Sequence, residues 1–130
     1  GISNTETPLL TAALRPGLTH LVASPSTFYA TMDRGSLEEI NDYLRLHPDR
    51  QEIVSRTLSY FEPLFFAPSV HLPTLFWGNP DLYAPLTEAM GKNVEVRPSE
   101  NSRYKDGVYQ ETWIAQQFGF EDAILPAHWQ

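Results

Sequence analysis

Ser3 has the neighbours a serine needs to attack a carbonyl carbon. It stands in Gly1-Ile2-Ser3-Asn4-Thr5, one glycine short of the Gly-x-Ser-x-Gly turn that lifts a serine oxygen clear of a sheet and turns the next backbone N–H toward an oxyanion. That chemistry is acyl transfer, and it needs a base to accept the hydroxyl proton. Four histidines are present, His20, His47, His71 and His128. His20 falls inside a predicted strand and His71 just before another, both suited to structural roles, while His47 belongs to a helix stop. His128, in the C-terminal tail, is left as the one imidazole able to swing toward Ser3. The plainer reading of Ser3, an ordinary helix N-cap, stays open beside the nucleophile. Trp77 and Trp113 are of the type that stacks on sugar rings, with core packing as the plainer reading. No HxxH, HExxH or carboxylate cluster suggests a metal and no GxGxxG or GxxxxGK suggests a nucleotide, so neither metal nor cofactor is expected.

The elements that must position these residues alternate short apolar strands with amphipathic helices. Leu9, Leu10, Ala12, Ala13 and Leu14 predict a short helix closed by Arg15-Pro16-Gly17. Strands follow at Thr19 to Ala23, Leu72 to Trp77 and Asn93 to Arg97, each succeeded by loop and helix, the order of a parallel sheet. Between the first two strands lies a two-helix insertion, placed at 34–68. Ser36-Leu37-Glu38-Glu39 has the form of a capping box, and Leu37, Ile40 and Leu44 then share one helical face. Asp49 with Glu52 begins the second helix, with Val54, Leu58 and Phe61 on one face. The aromatic run Tyr60 to Phe66 is expected to pack the insertion against the sheet, or else to wall an acyl or sugar pocket. Asp106 is expected to cap a last helix carrying Tyr109, Trp113, Ile114 and Phe118, with Gly119 as its terminator. Residues 121–130 form a tail without period that packs through Ile124, Leu125 and Trp129. The predicted class is α/β, with three parallel strands, flanking helices and a two-helix insertion; residues 1–120 are expected to be the C-terminal portion of one domain.

Composition narrows the partners. The chain has 130 residues, 42% of them hydrophobic, and a net charge of -7 with no run of Lys or Arg. Such a charge repels phosphate backbones and anionic lipid, so nucleic acid and membrane surfaces are poor partners. Cysteine is absent, which removes disulfides and thiolate chemistry. No apolar stretch approaches the roughly 20 residues a membrane-spanning helix needs and no leader is read. A soluble protein is expected, cytoplasmic if anything.

The most specific wording lies in the insertion: Glu39-Ile40-Asn41-Asp42-Tyr43-Leu44-Arg45, then His47-Pro48, then Arg56-Thr57-Leu58-Ser59-Tyr60-Phe61-Glu62 and Ala67-Pro68. With the element order from Gly1 to about Phe118, it resembles the C-terminal part, less than half, of the acetyl xylan esterase and cephalosporin C deacetylase family of α/β-hydrolases. The resemblance implies a partial α/β-hydrolase fold in which Ser3 is the nucleophile and the Asn4 backbone N–H an oxyanion donor. It implies that Asp81, four residues before Pro85, is the triad acid. It also sets the base four residues after Pro98, at Ser102. A hydroxyl neither accepts the proton nor carries the resulting charge near neutral pH, as imidazole does. Thr5 and Glu6 stand where the family is small, and Pro8 falls in the helix meant to follow the elbow, where it costs a hydrogen bond unless that helix starts late.

Two classes of function follow. One is a serine carboxylesterase acting on small acetyl esters or acylated sugars with a base supplied from elsewhere. The other is a retired hydrolase fold serving as a structural or binding subunit. The family's earlier strands have no counterpart in the chain, so one sheet edge is expected to be open and to be completed by a second chain or a copy of this one.

Overall fold

The computed structural model describes residues 6–25, 38–123 and 125–129. Ser3, Asn4 and the Ser36 end of the expected capping box lie outside them, as does Ile124. Within them the fold is α/β, built on a three-stranded parallel sheet of order β1-β2-β3, comprising Leu21–Ala23, Thr74–Trp77 and Val94–Arg97. The strands begin one or two residues later than the apolar runs suggest. Pro73 has no N–H to give a ladder, and its carbonyl instead accepts from Leu21 N–H at 3.0 Å.

Register decides which side chains meet. Leu21, Thr74 and Val94 stand abreast, as do Val22, Leu75 and Glu95, then Ala23, Phe76 and Val96. Alternation therefore sends the first and third rows to one face and the middle row to the other. The first face carries the main core. There Leu21, Ala23 and Phe76 pack with Leu9 and Ala12 of α1 (Thr7–Leu14), with Ala67 and Val70, and with Tyr83, Leu86 and Met90 of α5 (Pro80–Met90). Phe76, Leu9 and Leu86 are wholly buried, each contributing about 2 kcal/mol of apolar transfer.

The other face is covered by α6 (Arg103–Gln117). Glu95, in the middle row, takes the Tyr109 hydroxyl on one carboxylate oxygen and the Trp113 indole N–H on the other, the latter at 3.1 Å. Arg97 lies 4.3 Å above the Tyr109 ring, a cation–π contact that fastens the same helix. The helix ends as its glycine suggests. Gly119 adopts φ 75°, its N–H reaches the Gln116 carbonyl at 3.0 Å, and Phe120 N–H reaches Ala115 at 2.9 Å, the double bond of a Schellman motif.

α1 starts late enough to absorb Pro8, which sits in its first turn where no intrahelical N–H is required. The insertion contributes α2 (Glu38–Leu46), a 3₁₀ turn Pro48–Arg50, α3 (Gln51–Ser59) and the short α4 (Pro63–Phe66). Glu62, fully buried, accepts the Leu64 N–H at 3.2 Å and so caps α4. The aromatic run departs from expectation. Glu62 and Pro63 are buried and Leu64 and Phe66 pack against the core, while Tyr60, Phe61 and Phe65 are 69%, 56% and 57% exposed. The chain leaves α3 through a turn at 60–61 and restarts at Pro63, so the helical period that would have aligned these rings breaks between them. In the tail, Leu125 is half-buried and Ala127–Trp129 form a 3₁₀ turn.

Candidate functional site

Residues that handle ligands on a parallel sheet gather beyond the carboxyl ends of its strands. Here that rim is made by Ser24 after β1, the segment 78–81 after β2, and the segment 98–102 after β3. Asp81 and Ser102 thus stand beyond neighbouring strands.

The β2 end is tied off by Tyr83. Its hydroxyl donates to the Trp77 carbonyl at 2.8 Å, and with its one proton so used it accepts from the Ser24 hydroxyl at 2.7 Å. Burial pushes the Tyr83 phenol above its usual value of 10.0, opposed by the Ser24 hydrogen bond. The ring packs 5.3 Å from that of Phe76. Gly78 makes room for this arrangement. At φ 136° it holds a conformation that side chains avoid, and a Cβ there would stand 2.5 Å from the Tyr83 hydroxyl oxygen. Its N–H donates to the Arg97 carbonyl at 2.9 Å, linking the ends of β2 and β3.

Asp81, which the resemblance makes the triad acid, lies in the first turn of α5. Asn79 caps that helix, its side-chain oxygen accepting the Asp81 N–H at 3.1 Å, with Pro80 at the first helical position. Pro85 lies inside the helix and has no N–H to return to the Asp81 carbonyl. The Asp81 carboxylate is exposed and, among the described residues, makes no hydrogen bond or ion pair. Its charge suits the positive end of the helix dipole.

Ser102, rather than Asp106, is the N-cap of α6, accepting the Lys105 N–H at 3.3 Å. Asp106 stands one turn in and reaches back to the preceding loop. One of its oxygens takes the Ser99 hydroxyl at 2.6 Å and the other the Glu100 N–H at 2.9 Å. Ser99 in turn accepts the Asn101 N–H at 3.1 Å, with Asn101 in the left-handed region at φ 55°. Glu100 pairs with Lys105 and Arg97, each at 3.1 Å, and Lys105 first and then Arg97 hold its carboxyl below the usual range. The loop after β3 is a knot of capping bonds.

The histidines fall elsewhere. His20 immediately precedes β1, at the amino end of the sheet, with its ring 4.8 Å from Phe118 and edge-on to Trp113 at 6.2 Å. His71 precedes β2, and its carbonyl accepts from the Asn93 side chain at 3.0 Å. His47 stacks on Tyr43 at 4.7 Å. His128 is exposed, in the 3₁₀ turn of the tail. None of the described imidazoles bonds Asp81. Trp113 is buried with its N–H used by Glu95, whereas Trp77 is half-buried and lends its carbonyl to Tyr83. Among the described residues no group of three or more His, Asp or Glu is arranged to hold a metal, and no helix is long and apolar enough to cross a membrane.

Sequence reasoning missed the Ser24–Tyr83–Trp77 tie, since its partners lie 59 residues apart. It also missed the Ser102 cap, for which Ser102-Arg103-Tyr104-Lys105 carries a readable signal, a hydroxyl three residues before the first bonded N–H. No protein-family model matches the chain, and comparison with curated proteins finds no significant match.

Proposed function

We propose that this chain is a catalytically retired scaffold of the serine ester hydrolase type, akin to the acetyl xylan esterases, serving as a structural or binding subunit. The observation that carries this reading is the use made of Ser102. In the place the resemblance assigns to the base, the side chain spends its oxygen on the first turn of α6, and a hydroxyl cannot take a proton from Ser3 in its stead. The exposed Asp81 carboxylate, bonded to no described imidazole, supports the same conclusion, because an orienting acid acts only through the ring it holds. A missing general base alone costs about 10²- to 10⁴-fold in rate.

The test is hydrolysis of p-nitrophenyl acetate by the chain and by Ser3→Ala side by side. Equal rates are expected; a rate that disappears with the Ser3 hydroxyl overturns the proposal and restores the active reading, a carboxylesterase for small acetyl esters or acylated sugars whose base comes from another chain.

A second polypeptide, or a copy of this one, is proposed to extend the sheet beside β1. In the described residues β1 pairs only with β2, and an open parallel edge favours strand addition. Light scattering that finds a monomer with a single cooperative, full-sized melting transition removes this partner.

A further inference from the structure

The insertion displays apolar surface that its own fold does not use. Neither α2 nor α3 has a single buried residue, although each carries a helical apolar stripe. Among the described residues eleven large hydrophobic side chains are exposed, and six of them lie between positions 43 and 65, so the described exposure is concentrated here. Between the two helices runs a cleft of about 300 Å³ walled by Ile40, Tyr43, Ile53, Val54 and Leu58, with Glu39 as the charged residue of its lining. The Thr57 hydroxyl on the same wall is already bonded to the Ile53 carbonyl at 2.8 Å, so the cleft offers apolar walls and one carboxylate.

We propose that this cleft receives the apolar face of an amphipathic helix from a basic partner protein, with a lysine or arginine of the guest beside Glu39. The proposal rests on the binding-subunit reading above and gives that partner a chemistry. Two helices that wall one apolar cleft present the ridges and grooves into which a third helix packs. Charge selects which helix. Between positions 38 and 59 the carboxylates Glu38, Glu39, Asp42, Asp49 and Glu52 outnumber the cations Arg45, Arg50 and Arg56, and two of those arginines are already engaged, Arg45 by Asp42 and Arg50 by Asp49 at 3.3 Å. Glu39, among the described residues, has no ion pair. The net charge of -7 draws cationic guests from a distance and opposes a second copy, which would bring another Glu39 and another -7 to the same cleft.

The experiment uses the full chain and two synthetic helices of about 18 residues, long enough to hold helical structure. Both carry leucines at i, i+3, i+4 and i+7; one is flanked by lysines and the other by glutamates. Fluorescence anisotropy is expected to show the lysine peptide binding about fivefold or more tightly than the glutamate peptide. Ile53→Asp, at an exposed position that the fold does not need, is expected to abolish binding of the lysine peptide. Glu39→Lys is expected to reverse the preference; the chain would still be net negative, so a reversal reports the cleft and not the overall charge. Equal binding of the two peptides, no binding of either, indifference to Ile53→Asp, or a preference that survives Glu39→Lys each overturns the proposal. So does self-association dispersed by Ile53→Asp, which assigns the cleft to copies of this chain. None of these outcomes depends on Ser3, so the docking proposal and the loss of catalysis fail separately.

Discussion

The sheet and the helical insertion both carry regular apolar patterns, near-continuous in the strands and one-sided in the helices, yet they differ sharply in how far those residues are buried. In β2 three consecutive residues, Thr74, Leu75 and Phe76, are buried because both faces of the central strand are covered. In α2 and α3 the apolar stripes are as regular, but no residue is fully covered. Periodicity predicts that a helix will form and which side it will turn inward. It does not say whether an inside exists within the same chain. The central strand is covered on both faces by its own chain, and the insertion is a surface.

Substitutions can break or sharpen that contrast. Phe76→Ala, in the middle of β2, is expected to cost about 3–5 kcal/mol in a urea unfolding titration, by lost transfer and a residual cavity. A value near zero would mean the sheet core is as loosely held as the insertion. Gly78→Ala is expected to cost about 2 kcal/mol in the same titration, since the new methyl meets the Tyr83 hydroxyl in a disfavoured backbone conformation. Tyr83→Phe, removing the two bonds at the β2 end, is expected to cost about 1–1.5 kcal/mol at neutral pH. The phenol is held protonated to higher pH in the folded chain than in the unfolded one, so its contribution is whole below about pH 10 and fades as pH rises through the folded value. The stability gap between wild type and Tyr83→Phe should therefore narrow on the alkaline side, and a gap that widens there would contradict the assigned bonding. Leu46→Ser, in the last turn of α2 at 78% exposure, is expected to change stability by no more than about 0.5 kcal/mol. A larger loss would show that the insertion packs internally after all.

The three parallel strands, their crossovers and the Gly119 terminator were legible in the sequence because each depends on local pattern: an apolar run, a capping residue, a glycine free to adopt positive φ. The surroundings of the candidate site were less legible. Asn79-Pro80-Asp81 reads equally as a loop holding an acid and as a helix start of cap, proline and first-turn carboxylate, and only the path after β2 chooses the second. Ser102 and Asp106 both suit a cap, and the choice turned on one turn of helix register. The exposure of Tyr60, Phe61 and Phe65 was hidden because hydrophobicity alone does not report where a helix breaks. Ser24 and Tyr83 met through tertiary folding, for which no short-range signal exists.

The cap on α6 constrains the chain's future as well as its chemistry. A histidine introduced at position 102 would deprive the helix of the oxygen that opens it, at about 1 kcal/mol, and would enter a loop whose neighbouring groups are already committed to one another. An imidazole at that point would thus weaken the structure before any new chemistry could appear.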